Sequence, residues 1–167
     1  MTARRHFIAG LMAAIAVTTV GCGPSRPDLK GMIAAVNDAN GKRLANLYTI
    51  YQSRYLGNGP RDKATFEKFI SQEMTPAELA GTGVDQKSLD TLFVSERDGK
   101  PFFIRYGVQS PDPSSTAVNL AVIFESQGVN GSVAVYMTGP KMVAVPQAEV
   151  KDYRAGKRDR LPGVAGP

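Results

Sequence analysis

Hydrophobic positions along the chain change their period twice. In residues 28–56 they fall at helical spacing. Leu29, Ile33, Val36, Leu44, Leu47, Tyr51 and Tyr55 lie at steps of three, four or eight and predict one long helix. Asp28 is its predicted N-cap, and Asn40-Gly41 is where it is expected to kink or split. Residues 57–60 (Gly-Asn-Gly-Pro) end it. Asp62 is predicted to cap a second helix over 63–73 that buries Phe66, Phe69 and Ile70. Thr75-Pro76-Ala77-Glu78 spells a capping box for a short helix stopped by Gly81, and residues 85–91 predict one or two further turns.

From Leu92 the period becomes two. Strands are predicted at 92–95, 101–108, 118–125, 132–138 and 142–145. Asp98-Gly99 forms the first turn. In the second strand Phe102, Ile104, Tyr106 and Val108 share one face, with Phe103 and Arg105 on the other. The strand at 118–125 is apolar on both faces and is expected to be central. Pro146 is predicted to open a closing helix, and the tail from Gly156 is expected to be disordered. The order predicts an α+β fold: a long N-terminal helix plus small helices packed on an antiparallel sheet of four or five strands, in one domain over 29–155. The tyrosines Tyr48, Tyr51 and Tyr55 are read as a core stripe with hydroxyls at its rim, in preference to a binding face.

Composition sharpens this picture mainly by exclusion. The net charge is +5, but two of its cations, Arg4 and Arg5, precede Cys22. Five more (Lys151, Arg154, Lys157, Arg158 and Arg160) lie in the last 17 residues, and residues 22–150 balance at 13 basic and 13 acidic. The excess belongs to the two ends, so a nucleic-acid partner is not expected. The tail is read as solvated, with contact to anionic headgroups as the alternative. His6 is the only histidine and Cys22 the only cysteine. A chain beginning at Cys22 has no imidazole for acid–base work, and no intrachain disulfide is available.

The first 28 residues form a separate unit. A short basic stretch, residues 1–5, precedes a 14-residue apolar run, 7–20, too short for a comfortable membrane span. Gly21 and Cys22 follow. Thr19-Val20-Gly21-Cys22 resembles the lipobox of bacterial lipoproteins, with Thr19 where leucine is commonest. The resemblance implies cleavage between Gly21 and Cys22, diacylation of the Cys22 thiol, and a chain held to a membrane of the bacterial cell envelope, facing the periplasm or exterior. An ordinary secretory signal is the alternative. Arg4-Arg5-His6-Phe7-Ile8 is similar to a twin-arginine export motif, and the export route stays open. Residues 22–28 then read as a tether containing Pro24 and Pro27.

Glycine fingerprints for dinucleotides and phosphates, and the nucleophile-elbow motif, do not occur. Glu96 and Asp98 could serve a paired-carboxylate hydrolase, although Asp98 already has a turn role. Residues 37–41 (Asn-Asp-Ala-Asn-Gly) only faintly resemble a calcium loop and lack its closing glutamate. Glu125 is expected to pair with Arg105 if it is buried. No catalytic residue, cofactor or metal is expected. The expected role is a non-catalytic module that binds another envelope protein through a sheet edge or the tyrosine-bearing helix.

Three segments carry a further resemblance: Leu47-Tyr48-Thr49-Ile50-Tyr51, Gly57-Asn58-Gly59-Pro60 and Asp98-Gly99-Lys100-Pro101-Phe102. Their order is similar to the globular part of type II secretion pseudopilins, which implies a pilin-like fold and an accessory role in a secretion or pilus-like system. Residues 42–48 (KRLANLY) and 95–102 (SERDGKPF) more closely resemble a set of small uncharacterised bacterial lipoproteins, which implies no activity. The departures matter. No glutamate precedes Glu67, the apolar run ends at Cys22, and Gly139-Pro140 stands where the pilin-like pattern has Asp-Gly. Assembly into a filament is therefore not expected.

Overall fold

A computed structural model describes residues 40–110, 119–139 and 141–158. Arg4, Arg5, Gly21, Cys22, the tether, Asp28 and the upstream part of the predicted long helix lie outside the described residues, as do most of the 109–117 loop and the tail beyond Arg158.

The described part of the first helix, α1, is Asn40–Arg54. Asn40 and Gly41 are both helical and buried, so the pair is not a break within it. Gly41 serves another purpose: a Cβ there would lie 2.3 Å from the Tyr136 ring, so glycine lets the helix approach the sheet. Leu44, Leu47 and Tyr48 are fully enclosed, and Tyr51 is nearly so. Tyr48 does not reach the rim as expected. Its hydroxyl donates to the Arg105 carbonyl at 2.9 Å and accepts from the Val108 amide at 3.3 Å, which satisfies it in the core.

The short helices start where their caps predict. Asp62 accepts from the Thr65 amide at 2.8 Å and opens α2, Lys63–Lys68, which continues as a π-helical turn, Phe69–Glu73. That turn keeps Phe69 and Ile70 on the buried side with Phe66. The Thr75 hydroxyl accepts from the Glu78 amide while Glu78 accepts from the Thr75 amide, opening α3, Pro76–Gly81. Gly81 is still helical, and the stop falls at Gly83, whose φ is +75°. A 3₁₀ turn, Gln86–Ser88, leads into α4, Leu89–Leu92.

Four antiparallel strands follow in chain order: β1, Phe103–Ile104; β2, Ala121–Phe124; β3, Ser132–Met137; and β4, Met142–Pro146. The expected strand at 92–95 does not form. Leu92 ends α4, and Val94 makes only an isolated bridge to Pro101. The strand expected over 101–108 shortens to β1, because Gly107 turns out at φ +68° and pairs with the Pro60 carbonyl. Pro146 ends β4 instead of opening a helix, and the closing helix α5 is Val150–Arg154. Past α5, Gly156 donates to the Tyr153 carbonyl and Arg158 pairs with Glu149 at 2.9 Å.

β2 is central, as its two-sided apolar pattern requires. A register shift between Ala121 and Ile123 places Val122 and Ile123 together on the α1 face, leaving Ala121 and Phe124 on the other. Along β3, Ala134 and Tyr136 face α1, while Val133, Val135 and Met137 face Val150 and Tyr153 of α5. The fold is thus α+β in three layers, with α1 and the small helices on one face of the sheet and α5 on the other.

Candidate functional site

The described residues enclose one charged cluster. It lies where the 95–100 hairpin meets the ends of β2 and α5. Glu125 follows the last residue of β2, and its side chain is fully buried. Its carboxylate accepts from the Ala134 amide at 2.8 Å and the Ser95 hydroxyl at 3.3 Å, and meets Arg97 Nε at 3.1 Å. Burial pushes its carboxyl above the usual range, and nearby Asp98 adds to this. The Ala134 amide, Arg97 and Ser95 pull the other way. The partner expected from the sequence was Arg105. Arg105 instead donates Nη1 to the Ala121 carbonyl at 3.1 Å, and the pair falls to Arg97, which the hairpin folds back over the sheet.

Asp98 fixes that hairpin. Its Oδ2 accepts from the Gln127 and Gly128 amides at 2.9 and 3.0 Å, and its Oδ1 from Lys100 at 3.0 Å. Burial would push this carboxyl up, but the three amides and Ser95 outweigh it and hold it below the usual range. Gly99, at φ +64°, supplies the turn that Asp-Gly predicts. Glu96 points the other way and accepts from the Asn40 amide at 3.0 Å, while the Asn40 side chain donates to the Thr91 and Val94 carbonyls. The hairpin therefore ties the start of α1 to the sheet. Glu96 and Asp98 do not converge on a common point; each is committed to backbone amides. The Asn40 side-chain oxygen, the calcium-loop ligand within the described residues, accepts from Arg43 at 3.0 Å.

Arg154 of α5 closes the cluster, a role that sequence reasoning missed. It donates to the Glu125 and Ser126 carbonyls and lies 5.1 Å from the centre of the Phe103 ring. Among the described residues, Arg97 Nη2 and Arg154 Nε are buried without a hydrogen-bond partner. An arginine in a basic C-terminal run gives no signal that it will fold back. What the cluster does chemically is hold a hairpin, a sheet and a helix together.

Two surfaces complete the survey. A shallow depression of about 440 Å³ lies beside α3, lined by Leu79, Ala80, Val84 and Asp85 among others. Asp85, its charged member, caps the adjoining turn through the Lys87 amide at 3.0 Å, so no set of polar groups converges there. The other surface is the outer edge of β4. Met137 N donates to the Lys141 carbonyl at 3.0 Å, and the register then turns the N–H and C=O of Met142 and Ala144 away from β3. Among the described residues no strand pairs with that edge. Comparisons with family models, with curated proteins and with solved structures find no match to this chain.

Proposed function

We propose that this chain is a lipid-anchored protein of the bacterial cell envelope, held by an acylated Cys22 and facing the periplasm or exterior. Its α+β domain acts as a non-catalytic module that binds another envelope protein. The observation that carries the anchor is the apolar run 7–20 ending in Gly21-Cys22, with the only cysteine of the chain at the cut. No helix among the described residues is long and apolar enough to cross a membrane.

The open edge of β4 supports the binding reading. Its outward amides and carbonyls at Met142 and Ala144 suit addition of an extended partner strand. The buried positions of Tyr48 and Tyr51 turn the choice away from the helix. Proline at 144 removes an outward donor and leaves the β3 ladder intact. Ala144→Pro is therefore expected to abolish capture of the envelope partner by the acylated chain with little change in melting temperature. Undiminished capture would sink the edge as the binding surface.

A second reading is an accessory component of a type II secretion or pilus-like system, with a pilin-like domain whose helix runs from Asp28. It rests on the order of helix, Gly57-Asn58-Gly59-Pro60 turn and antiparallel sheet, an analogy of fold only. Failure to co-purify with any such component would remove it.

A further inference from the structure

Leu56 is the least typical residue of the described surface. It is 84% exposed, while the other exposed large apolar side chains there, Tyr55 and Phe103, reach 39%. Its φ is +52°, in the left-handed region that leucine avoids. It sits just past the end of α1, where the Gly57 amide reaches back to the Gln52 carbonyl at 2.8 Å. This wrapped helix ending normally puts glycine at the left-handed position. Here glycine follows one residue later. The turn thus holds a leucine where sterics favour glycine, and directs it into water, where burial would favour it. Both penalties are accounted for if something covers the side chain.

The size of the patch decides what that is. The neighbouring Ser53, Arg54, Asn58 and Glu73 are exposed polar residues, and Tyr55 is the other exposed apolar side chain at this corner. A specific protein interface buries roughly 1,000 Å² or more around several apolar anchors. This corner offers two. A bilayer interface needs no shape complementarity and takes up a single Tyr–Leu pair, with the phenol at the polar boundary and the aliphatic side chain beneath it. Of the surrounding charges, Arg54 pairs with Glu78 and Arg61 with Asp62, while the Glu73 carboxylate accepts from the Tyr55 hydroxyl and so lies on the polar side of the pair.

We propose that the Tyr55–Leu56 corner is a membrane-contacting tip, with Leu56 inserted into the interface of the bilayer that holds the anchored chain. The inference rests on the lipid-anchor reading and adds an orientation to it. α1 spans 15 residues, roughly 22 Å. Contact at its C-terminal end turns that end of α1 toward the bilayer.

The chain contains no tryptophan, so L56W carries a single reporter. The acylated full chain would be reconstituted into phosphatidylcholine vesicles, with Ser53→Trp on the same exposed stretch as the comparison. L56W is expected to emit to the blue of S53W and to be quenched by lipids brominated in the acyl chain. Emission like that of S53W overturns the inference, and so does a blue shift that brominated lipids do not quench, which would mean self-association. Leu56→Gly is expected to raise the melting temperature while lowering the vesicle-docked fraction of the domain about tenfold; an unchanged fraction overturns the inference even with the fold intact. The N-terminal mass of the same preparation separates the two claims. An unacylated chain brings down the anchor reading and the tip with it, whereas an acylated chain without insertion brings down the tip alone.

Discussion

Replacing Arg97 by alanine tests the buried cluster most sharply. Arg97 meets Glu125 at 3.1 Å, with 16% of the arginine side chain exposed and none of the glutamate. Removing one member of a buried pair costs about 3–5 kcal/mol, because the other charge is left without compensation. Water reaches part of the Arg97 side chain, so the lower end, about 3 kcal/mol, is expected for R97A. Glu125→Gln keeps an acceptor for the Ala134 amide and leaves Arg97 better able to turn to solvent; about 1–3 kcal/mol follows. The double variant should be less destabilised than the sum of the two by about 1–2 kcal/mol. The pH dependence gives a second signature. The folded carboxyl of Glu125 is already raised by burial, and losing Arg97 raises it further. In R97A the penalty for ionising Glu125 is therefore fully present above its folded value. It is relieved as pH falls through that value toward the unfolded one, near 4.5. Urea unfolding at pH 8 and pH 5 should show the R97A deficit shrinking at the lower pH. A deficit below 1 kcal/mol, or one that does not change with pH, would refute the reasoning.

Other perturbations probe the frame around the cluster. Gly41→Ala brings a Cβ to 2.3 Å from the Tyr136 ring, so despite a helix-propensity gain of about 1 kcal/mol a net loss in thermal stability is expected; a higher melting temperature would contradict the close approach. Thr75→Ala removes the hydroxyl half of the capping box while the residue-75 amide still reaches Glu78, and should cost about 1 kcal/mol in chemical denaturation, with amide exchange speeding up in α3 alone. Asp98→Asn addresses acid stability. The folded carboxyl lies below the ordinary 3.8, so its contribution is present above that value and is lost as pH falls through the folded one. The variant should be less stable than the parent at pH 7, and that difference should close in acid; a constant difference would exclude Asp98 as the titrating group.

Local chemistry was legible where a few neighbouring residues decide the outcome. Asp62, the Thr75–Glu78 box and the Asp98-Gly99 turn behave as their spacing requires, since each cap closes over three residues. β2 was legible as central because only a strand covered on both faces tolerates apolar residues at every position. What stayed hidden depends on contacts between distant residues. Leu92 and Val94 alternate like a strand, yet Leu92 is also in register with Leu89 as the end of a helical turn, and as such it is buried in the core cluster on the α1 face of the sheet. The Glu125 partner could not be read, because Arg97 and Arg105 are both plausible from sequence and only the fold-back of the hairpin separates them. Arg154 was invisible for the same reason: its partners are carbonyls of Glu125 and Ser126, 29 and 28 residues away.

The anchor is the central claim, and the mass of the mature N-terminus tests it most directly. Intact-mass and fragment spectra of the chain purified from membranes should show Cys22 as the first residue, carrying a diacylglyceryl group. An N-terminus at any other residue, or an unmodified Cys22 thiol in membrane-bound protein, would contradict the account.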